Sequence, residues 1–337
     1  MTPRTASNGF SLGWFAAWVL LLLALAPAAV AVEGKHTARL AAASDAELAA
    51  ELASAESALM RFVIAEEMAR RRAERFTHLW DSRMAATDFA DRLGAGLVLA
   101  RAGDERGLEL VLTELAEATA DVEALPKLGP PASVPPLEHK LHFQRSHHRR
   151  YLAALTLGLI GDARAVDPLI EGTRDPGLTY RAAMSLGEIG DRRAIPALRE
   201  MARAIPKERH WAGWALAMLG ERDGWDLLID VATGSDLLWD QRRHAIVGLG
   251  ELEDPIAVEP LARLLNDNEV HLRVAAARAL GQIGDPAALP ALRTALDDEE
   301  PAIFNREPTV AVAAAEAIRR IESPRGPLEG WSPPPGR

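Results

Sequence analysis

Between Arg150 and Asp191 the chain states one phrase twice, as Leu157-Gly158-Leu159-Ile160-Gly161-Asp162 and as Leu186-Gly187-Glu188-Ile189-Gly190-Asp191. Each is an apolar helix end, then a glycine able to take positive φ, then an acid able to open the next helix. Worn copies of the corner stand at Gly103-Asp104, Gly220-Glu221, Glu253-Asp254 and Gly284-Asp285. From Gly161 on, the corners step by 29, 30, 33 and 31 residues, a period that predicts a solenoid. The first step, 58 residues, is two periods long and reads as one repeat carrying a Pro-rich insertion at about 123–136.

Before each corner lies one helix type. Counted from the corner leucine (Leu99, Leu157, Leu186, Leu216, Leu249, Leu280), alanine stands four residues earlier every time, at Ala95, Ala153, Ala182, Ala212, Ala245 and Ala276. Three residues later comes Ala102, Ile160, Ile189, Leu219, Leu252 or Ile283. At about 100° per residue these positions share one face. That face is the expected core, and its alanine row lets helices approach closely.

After each corner a second helix is expected, with apolar pairs such as Val166/Leu169, Ile195/Leu198 and Val258/Leu261. Prolines fall in its first turn (Pro168, Pro196, Pro260, Pro290), where a missing N–H is tolerated. Each repeat is thus two antiparallel helices that cannot bury their stripes alone, so stacking makes the core. The predicted class is all-α: an α-solenoid of about seven helical pairs, preceded by an N-terminal helical segment.

Phrases such as Val274-Ala275-Ala276-Ala277-Arg278-Ala279-Leu280-Gly281-Gln282-Ile283-Gly284-Asp285 resemble HEAT repeats over about residues 88–321. In particular they are similar to the short HEAT-like repeats of the phycobilisome (PBS) bilin lyases. The phrase is specific for the repeat and not for an activity. The resemblance implies that the helix before each corner lines the concave side. A further row fits it: arginine stands seven residues before the corner leucine at Arg92, Arg150, Arg209, Arg242 and Arg273, with Thr179 as the exception. For these the resemblance implies a structural ladder, with arginines meeting corner acids between repeats. A basic track for an anionic ligand is the other reading. The last repeat has Ala311 in place of the arginine, ends in Arg319-Arg320 and meets no corner, so it reads as a cap.

The segments outside the repeats read differently. Residues 1–31 follow the order of a signal peptide: one charge at Arg4, an apolar run from Trp14 to Ala26, then Pro27 and the small triplet Ala29-Val30-Ala31. A secreted or periplasmic protein is expected, with an uncleaved N-terminal membrane anchor as the alternative. Residues 32–86 form the N-terminal helical segment, where Ser44-Asp45-Ala46-Glu47 fits a capping box and one helix is expected to about Phe76. Its basic end (Arg70, Arg71, Arg72, Arg75) reads as a solvated face, with Glu66 and Glu67 placed at i,i+4, or as a patch for an anionic partner. The solenoid occupies 87–321, and the Pro/Gly-rich tail 322–337 is expected to be disordered.

Composition narrows the function classes. Hydrophobic residues make up 48% but aromatic ones only 5%, which favours close-packed helices over a β-rich fold. A net charge of −10 argues against nucleic acid as partner, because phosphate neutralisation needs basic residues in excess. The absence of cysteine excludes disulfides, thiolate metal sites and a cysteine nucleophile.

The candidate site lies on the face opposite the core. Six residues before the corner leucine stand Tyr151, Tyr180, His210 and Arg243, which puts the chain's two tyrosines in register. Five before it stand Leu152, Arg181, Trp211 and His244, and two before it Leu155, Met184, Trp214 and Val247. With large aromatics offering roughly 150–250 Å² each, Tyr151, Tyr180, Met184, His210, Trp211, Trp214 and His244 read as a recognition groove centred on the two tryptophans. The other reading is a band covered by the insertion, the N-terminal helix or a neighbouring chain, or buried between repeats.

Other chemistry is weaker. His139, His142, His147 and His148 lack the spacing of a paired ligand set and read as a solvated or groove-facing helix start, with a metal site as the alternative. Acid-bearing turns at Asp175, Asp236, Asn266 to Glu269 and Asp297 to Glu300 read as helix caps, with a calcium-binding edge as the alternative. No phosphate loop, nucleophile elbow or His-Glu zinc motif is present. The expectation is therefore a non-enzymatic scaffold for a protein or peptide, with no cofactor, no metal, no nucleic acid and no membrane insertion after signal cleavage. A bilin-lyase-like or tetrapyrrole-handling protein and a structural subunit of an envelope complex are the alternatives.

Overall fold

The computed structural model of the protein describes residues 39–123, 137–175, 177–235, 237–300 and 309–323. The expected signal segment, Asp236, nearly all of the Pro-rich insertion and most of the tail lie outside the described residues. Within them all regular structure is helical, and no helix is long and apolar enough to cross a membrane.

The chain divides into two units, Met1–Ala55 and Glu56–Arg337. The first contains helix α1 (Asp45–Ser54), started by the expected capping box: the Ser44 N–H donates to the Glu47 carboxylate at 2.6 Å and the Glu47 N–H to Ser44 Oγ at 3.3 Å. The single helix expected as far as Phe76 is interrupted. Ser54 turns its hydroxyl back to the Glu51 carbonyl at 3.2 Å, and Ala55 is extended at ψ 112°. A serine hydroxyl that bonds local backbone competes with helix continuation.

The second unit opens with α2 (Ala58–Arg72), α3 (Thr77–Trp80) and α4 (Phe89–Arg101). A row of inner helices continues from α4 through α6 (Leu137–Ile160), α8 (Thr179–Ile189), α10 (Arg209–Met218), α12 (Trp239–Glu251), α14 (Val270–Ile283) and α16 (Val310–Glu322), each packed on the next. Outer helices alternate with them in sequence: α5 (Glu105–Glu123), α7 (Val166–Gly172), α9 (Ile195–Ala204), α11 (Arg222–Thr233), α13 (Val258–Leu264) and α15 (Leu289–Thr294). Each outer helix packs against the inner helix that follows it. The 58-residue step therefore holds one long pair, α5 and α6, rather than two.

The alanine row is the core, as the spacing required. Ala95, Ala153, Ala182, Ala212, Ala245 and Ala276 are fully buried, and every corner leucine is at most 1% exposed. A single Cβ at each contact lets the inner helices close on one another, and some approaches dispense even with that. A Cβ on Gly224 of α11 would lie 2.3 Å from the Ala217 nitrogen and 2.7 Å from the Gly213 carbonyl oxygen of α10.

Five corners turn on a glycine with φ between 73° and 86°. The sixth uses Glu253 at φ 50°, the left-handed region that disfavours a side chain. The following acid then caps the outer helix: Asp162, Asp191, Asp254 and Asp285 each accept a backbone N–H two residues on, at 2.8–2.9 Å.

The arginine ladder differs from its expected wiring. Arg150, Arg242 and Arg273 each reach an acid 25 residues later, Asp175, Asp267 and Asp298, in the turn that leads into the next inner helix. Arg92 instead meets Glu114 of α5 at 2.5 Å. The corner acids pair with other arginines: Asp162 takes Arg164, Asp191 takes Arg193, and Glu221 takes Arg192 and Arg199. Besides Asp298, Arg273 also holds Glu300 at 2.5 Å. At the basic end of α2, Glu67 takes both Arg70 and Arg71, the latter at 2.6 Å.

Candidate functional site

Four inner helices contribute one ring each to a continuous row. Tyr151 of α6 and Tyr180 of α8 lie 6.2 Å apart by ring centroid, Tyr180 and Trp211 of α10 lie 4.3 Å apart, and Trp211 and His244 of α12 lie 5.0 Å apart. Each of the four side chains is half-buried, as is Met184. Positions six (Tyr151, Tyr180) or five (Trp211, His244) residues before the corner leucine place the rings side by side, at separations where tilted aromatic pairs attract. Burial pushes the Tyr180 hydroxyl up to about 12, so it remains protonated and can donate a hydrogen bond at any physiological pH.

Two residues expected in this band are not at its surface. Trp214 is 8% exposed and belongs to the core, contrary to its expected place at the groove's centre. Glycines make the room: a Cβ on Gly187 of α8 or Gly248 of α12 would come within 3.0 Å of the Trp214 ring. His210 is 3% exposed, beneath the row, with its ring 4.4 Å from Trp211 and stacked 5.5 Å from His244. Among the described residues neither of its ring nitrogens has a hydrogen-bond partner, and burial followed by the nearby His244 lowers its pKa to about 3. Burial, then the Arg243 charge, lowers that of His244 too. Both imidazoles are neutral at pH 7 and offer flat, weakly polar faces.

Beyond His244 the inner face changes chemistry. Arg243 and Arg278 flank a recess of about 100 Å³, and Arg278 and Arg320 flank a second of about 160 Å³. The sequence reading passed over these arginines because only Arg243 stands in the register of the tyrosines. The signal was available at Arg278 and Gln282, two residues either side of the corner leucine Leu280, and at Arg320 in the capping helix.

Of the four clustered histidines, the side chains of His139 and His142 lie outside the described residues. His147 approaches Arg150 at 2.8 Å through Nδ1, and His148 meets the Phe89 ring edge-on at 5.7 Å. Burial lowers the pKa of both. Among the described residues no three His, Asp or Glu side chains are grouped to hold a metal.

The helical register above is matched by the profile of the HEAT repeats family over residues 149–217 and 226–307. These two stretches are HEAT repeats. The HEAT repeats stack by the alanine row, and the ring row belongs to the helices of that stack. No curated protein matches the chain in sequence. Among solved structures it is similar to the complex of CpcE and CpcF of phycocyanin lyase from Nostoc sp. PCC7120. The identity is 22%, over 73% of this chain and 94% of that chain, with a TM-score of 0.36. It is also similar to YibA of E. coli, at 14% identity over 96% of this chain and 100% of that one, with a TM-score of 0.35. With both TM-scores below 0.5, the assignment rests on the repeat match and the helix register.

Proposed function

We propose that this protein is an exported, non-enzymatic scaffold that holds a protein or peptide partner in the concave groove of its inner helices. The observation that carries the reading is the unbroken row Tyr151–Tyr180–Trp211–His244, four half-buried rings on four successive inner helices. Rigid rings with few rotatable bonds supply contact area at low entropic cost, which is why such residues dominate recognition surfaces. The net charge of −10 favours a polypeptide over nucleic acid. Export is supported by the order of residues 1–31, a basic start, an apolar run and a small-residue triplet.

Site-specific photo-cross-linking tests the groove. Trp211→benzoylphenylalanine, expressed in the native host, is expected to yield a discrete protein adduct. The same cross-linker at Arg263, on the exposed side of outer helix α13, is expected to yield none. Equal adducts from both positions contradict the reading. A second reading, tetrapyrrole handling, draws on the same ring row and on the lyase-type repeat phrase. Titrating the pure protein with haem or a bilin while scanning absorbance checks it, and an unchanged spectrum removes it.

A further inference from the structure

The ring row does not end at an edge. His244 is preceded by Arg243, which lines the first recess together with Val247, Ala275, Arg278 and Gln282. Arg278 and Gln282 also line the second recess, across from Arg320 and Glu316, so the two recesses form one stripe over α12, α14 and α16. Its floor is small: Ala275, Ala313 and Ala317 leave the arginines standing above closely packed helices. Arg278, Gln282 and Arg320 are exposed. In a chain whose net charge is −10, three guanidinium groups along one face are a local reversal of sign.

We propose that this stripe takes the carboxylates of an acidic peptide segment, while an apolar side chain of the same segment sits on Tyr180 and Trp211. The proposal rests on the groove reading above and extends it to the partner's chemistry. Guanidinium groups bind carboxylates through paired, charge-assisted N–H···O bonds, a geometry a lone ammonium cannot offer. Gln282, between the arginines, can donate to a peptide carbonyl and accept from a peptide N–H. Stacked helices lie roughly 8–10 Å apart, and an extended peptide advances about 3.3 Å per residue, so every third residue faces a new repeat. The rings sit on α8 and α10, the first recess between α12 and α14, and the second between α14 and α16. The matching segment therefore reads apolar-x-x-x-x-x-acid-x-x-acid, running from the rings to the arginines or in reverse. Glu316, beside Arg320 in the second recess, interrupts the positive stripe. A polyanion of continuous charge would meet that carboxylate, whereas a peptide with spaced acids can pass it.

The test uses the full chain and two fluorescein-labelled synthetic peptides, Phe-Ala-Ala-Ala-Ala-Ala-Glu-Ala-Ala-Glu and its counterpart with glutamine for both glutamates, read by fluorescence anisotropy at low salt. The Glu peptide is expected to bind at least tenfold tighter than the Gln peptide. R278Q with R320Q is expected to erase that difference, and W211A to weaken both peptides alike. Equal affinity for the two peptides, or a difference that survives R278Q with R320Q, overturns the arginine assignment and leaves the ring groove standing. Failure of both peptides to bind also overturns it, and cross-linking at position 211 then decides the groove separately. Displacement of the Glu peptide by heparin at a lower carboxylate-equivalent concentration than by poly-glutamate shows a continuous polyanion to be the preferred occupant, and overturns the proposal too.

Discussion

Gly248 of α12 lacks the Cβ that would stand 3.0 Å from the indole of Trp214 on the neighbouring helix α10. Gly187 of α8 makes the same allowance on the other side, also at 3.0 Å. Trp214 is thus a spacer inside the stack, and Trp211, three residues earlier, is the ring that reaches the row. The two tryptophans should separate in stability. Trp214→Ala is expected to cost about 3–5 kcal/mol, as deletion of a buried aromatic does, and Trp211→Ala less than half of that. Urea denaturation of the two variants measures the difference.

The sixth corner carries a strain that the other five avoid. Glu253 holds φ 50° where its counterparts are glycines. Left-handed backbone costs an ordinary residue roughly 1–2 kcal/mol, offset in part by the entropy glycine loses on folding. Glu253→Gly should therefore raise stability by about 0.5–1 kcal/mol. Differential scanning calorimetry should show a higher Tm, and an unchanged or lower Tm speaks against strain at this corner.

In the rung joining Arg242 and Asp267 both side chains are well enclosed, at 11% and 14% exposed. Arg242 Nε also donates to the Ala232 carbonyl at 3.0 Å, tying α12 to the end of α11. Removing one partner of such a pair leaves a charge stranded in low dielectric. Arg242→Ala is expected to destabilise by about 3 kcal/mol. Arg263→Ala, which breaks only the exposed pair with Glu259 on α13, is expected to cost under about 1 kcal/mol. Parallel denaturant titrations compare the two.

His210 makes acid sensitivity local. Its pKa is about 3 in the folded chain, against about 6.5 for an unperturbed imidazole. Between these values the unfolded chain binds a proton that the folded one excludes, so stability is full above pH 6.5 and is lost as pH falls toward 3. His210→Phe keeps a flat ring and removes the proton site. Its stability should fall less than that of the parent between pH 7 and 4, and identical pH profiles would show that His210 does not carry the effect.

How much of this was legible follows from what periodicity encodes. The alanine row, the corner glycines and the capping aspartates are dictated by backbone geometry repeated every thirty residues or so, and each stands where spacing put it. The destination of an arginine is not periodic information: Arg150 and Arg242 meet turn acids, while the corner acids Asp162 and Asp191 take Arg164 and Arg193 two residues on. Nor does a register count show depth. Trp214 and Met184 hold the same position, yet only Trp214 is buried, because glycines on both neighbouring helices opened space for a large ring. Reading Gly187 and Gly248 against Trp214 would have revealed this, since an indole flanked by glycines on adjacent helices is a packing signature. The break at Ala55 was hidden because serine is compatible with both a helix interior and a stop.

The central claim is that Trp211 belongs to an open ring row while Trp214 belongs to the core. Fluorine NMR of the chain labelled with 5-fluorotryptophan measures it directly, with Trp211→Phe and Trp214→Phe assigning two of the eight resonances. Addition of a soluble neutral gadolinium chelate should broaden the Trp211 signal and leave that of Trp214 sharp. A Trp211 signal as protected as Trp214, or a Trp214 signal that broadens first, would contradict the account.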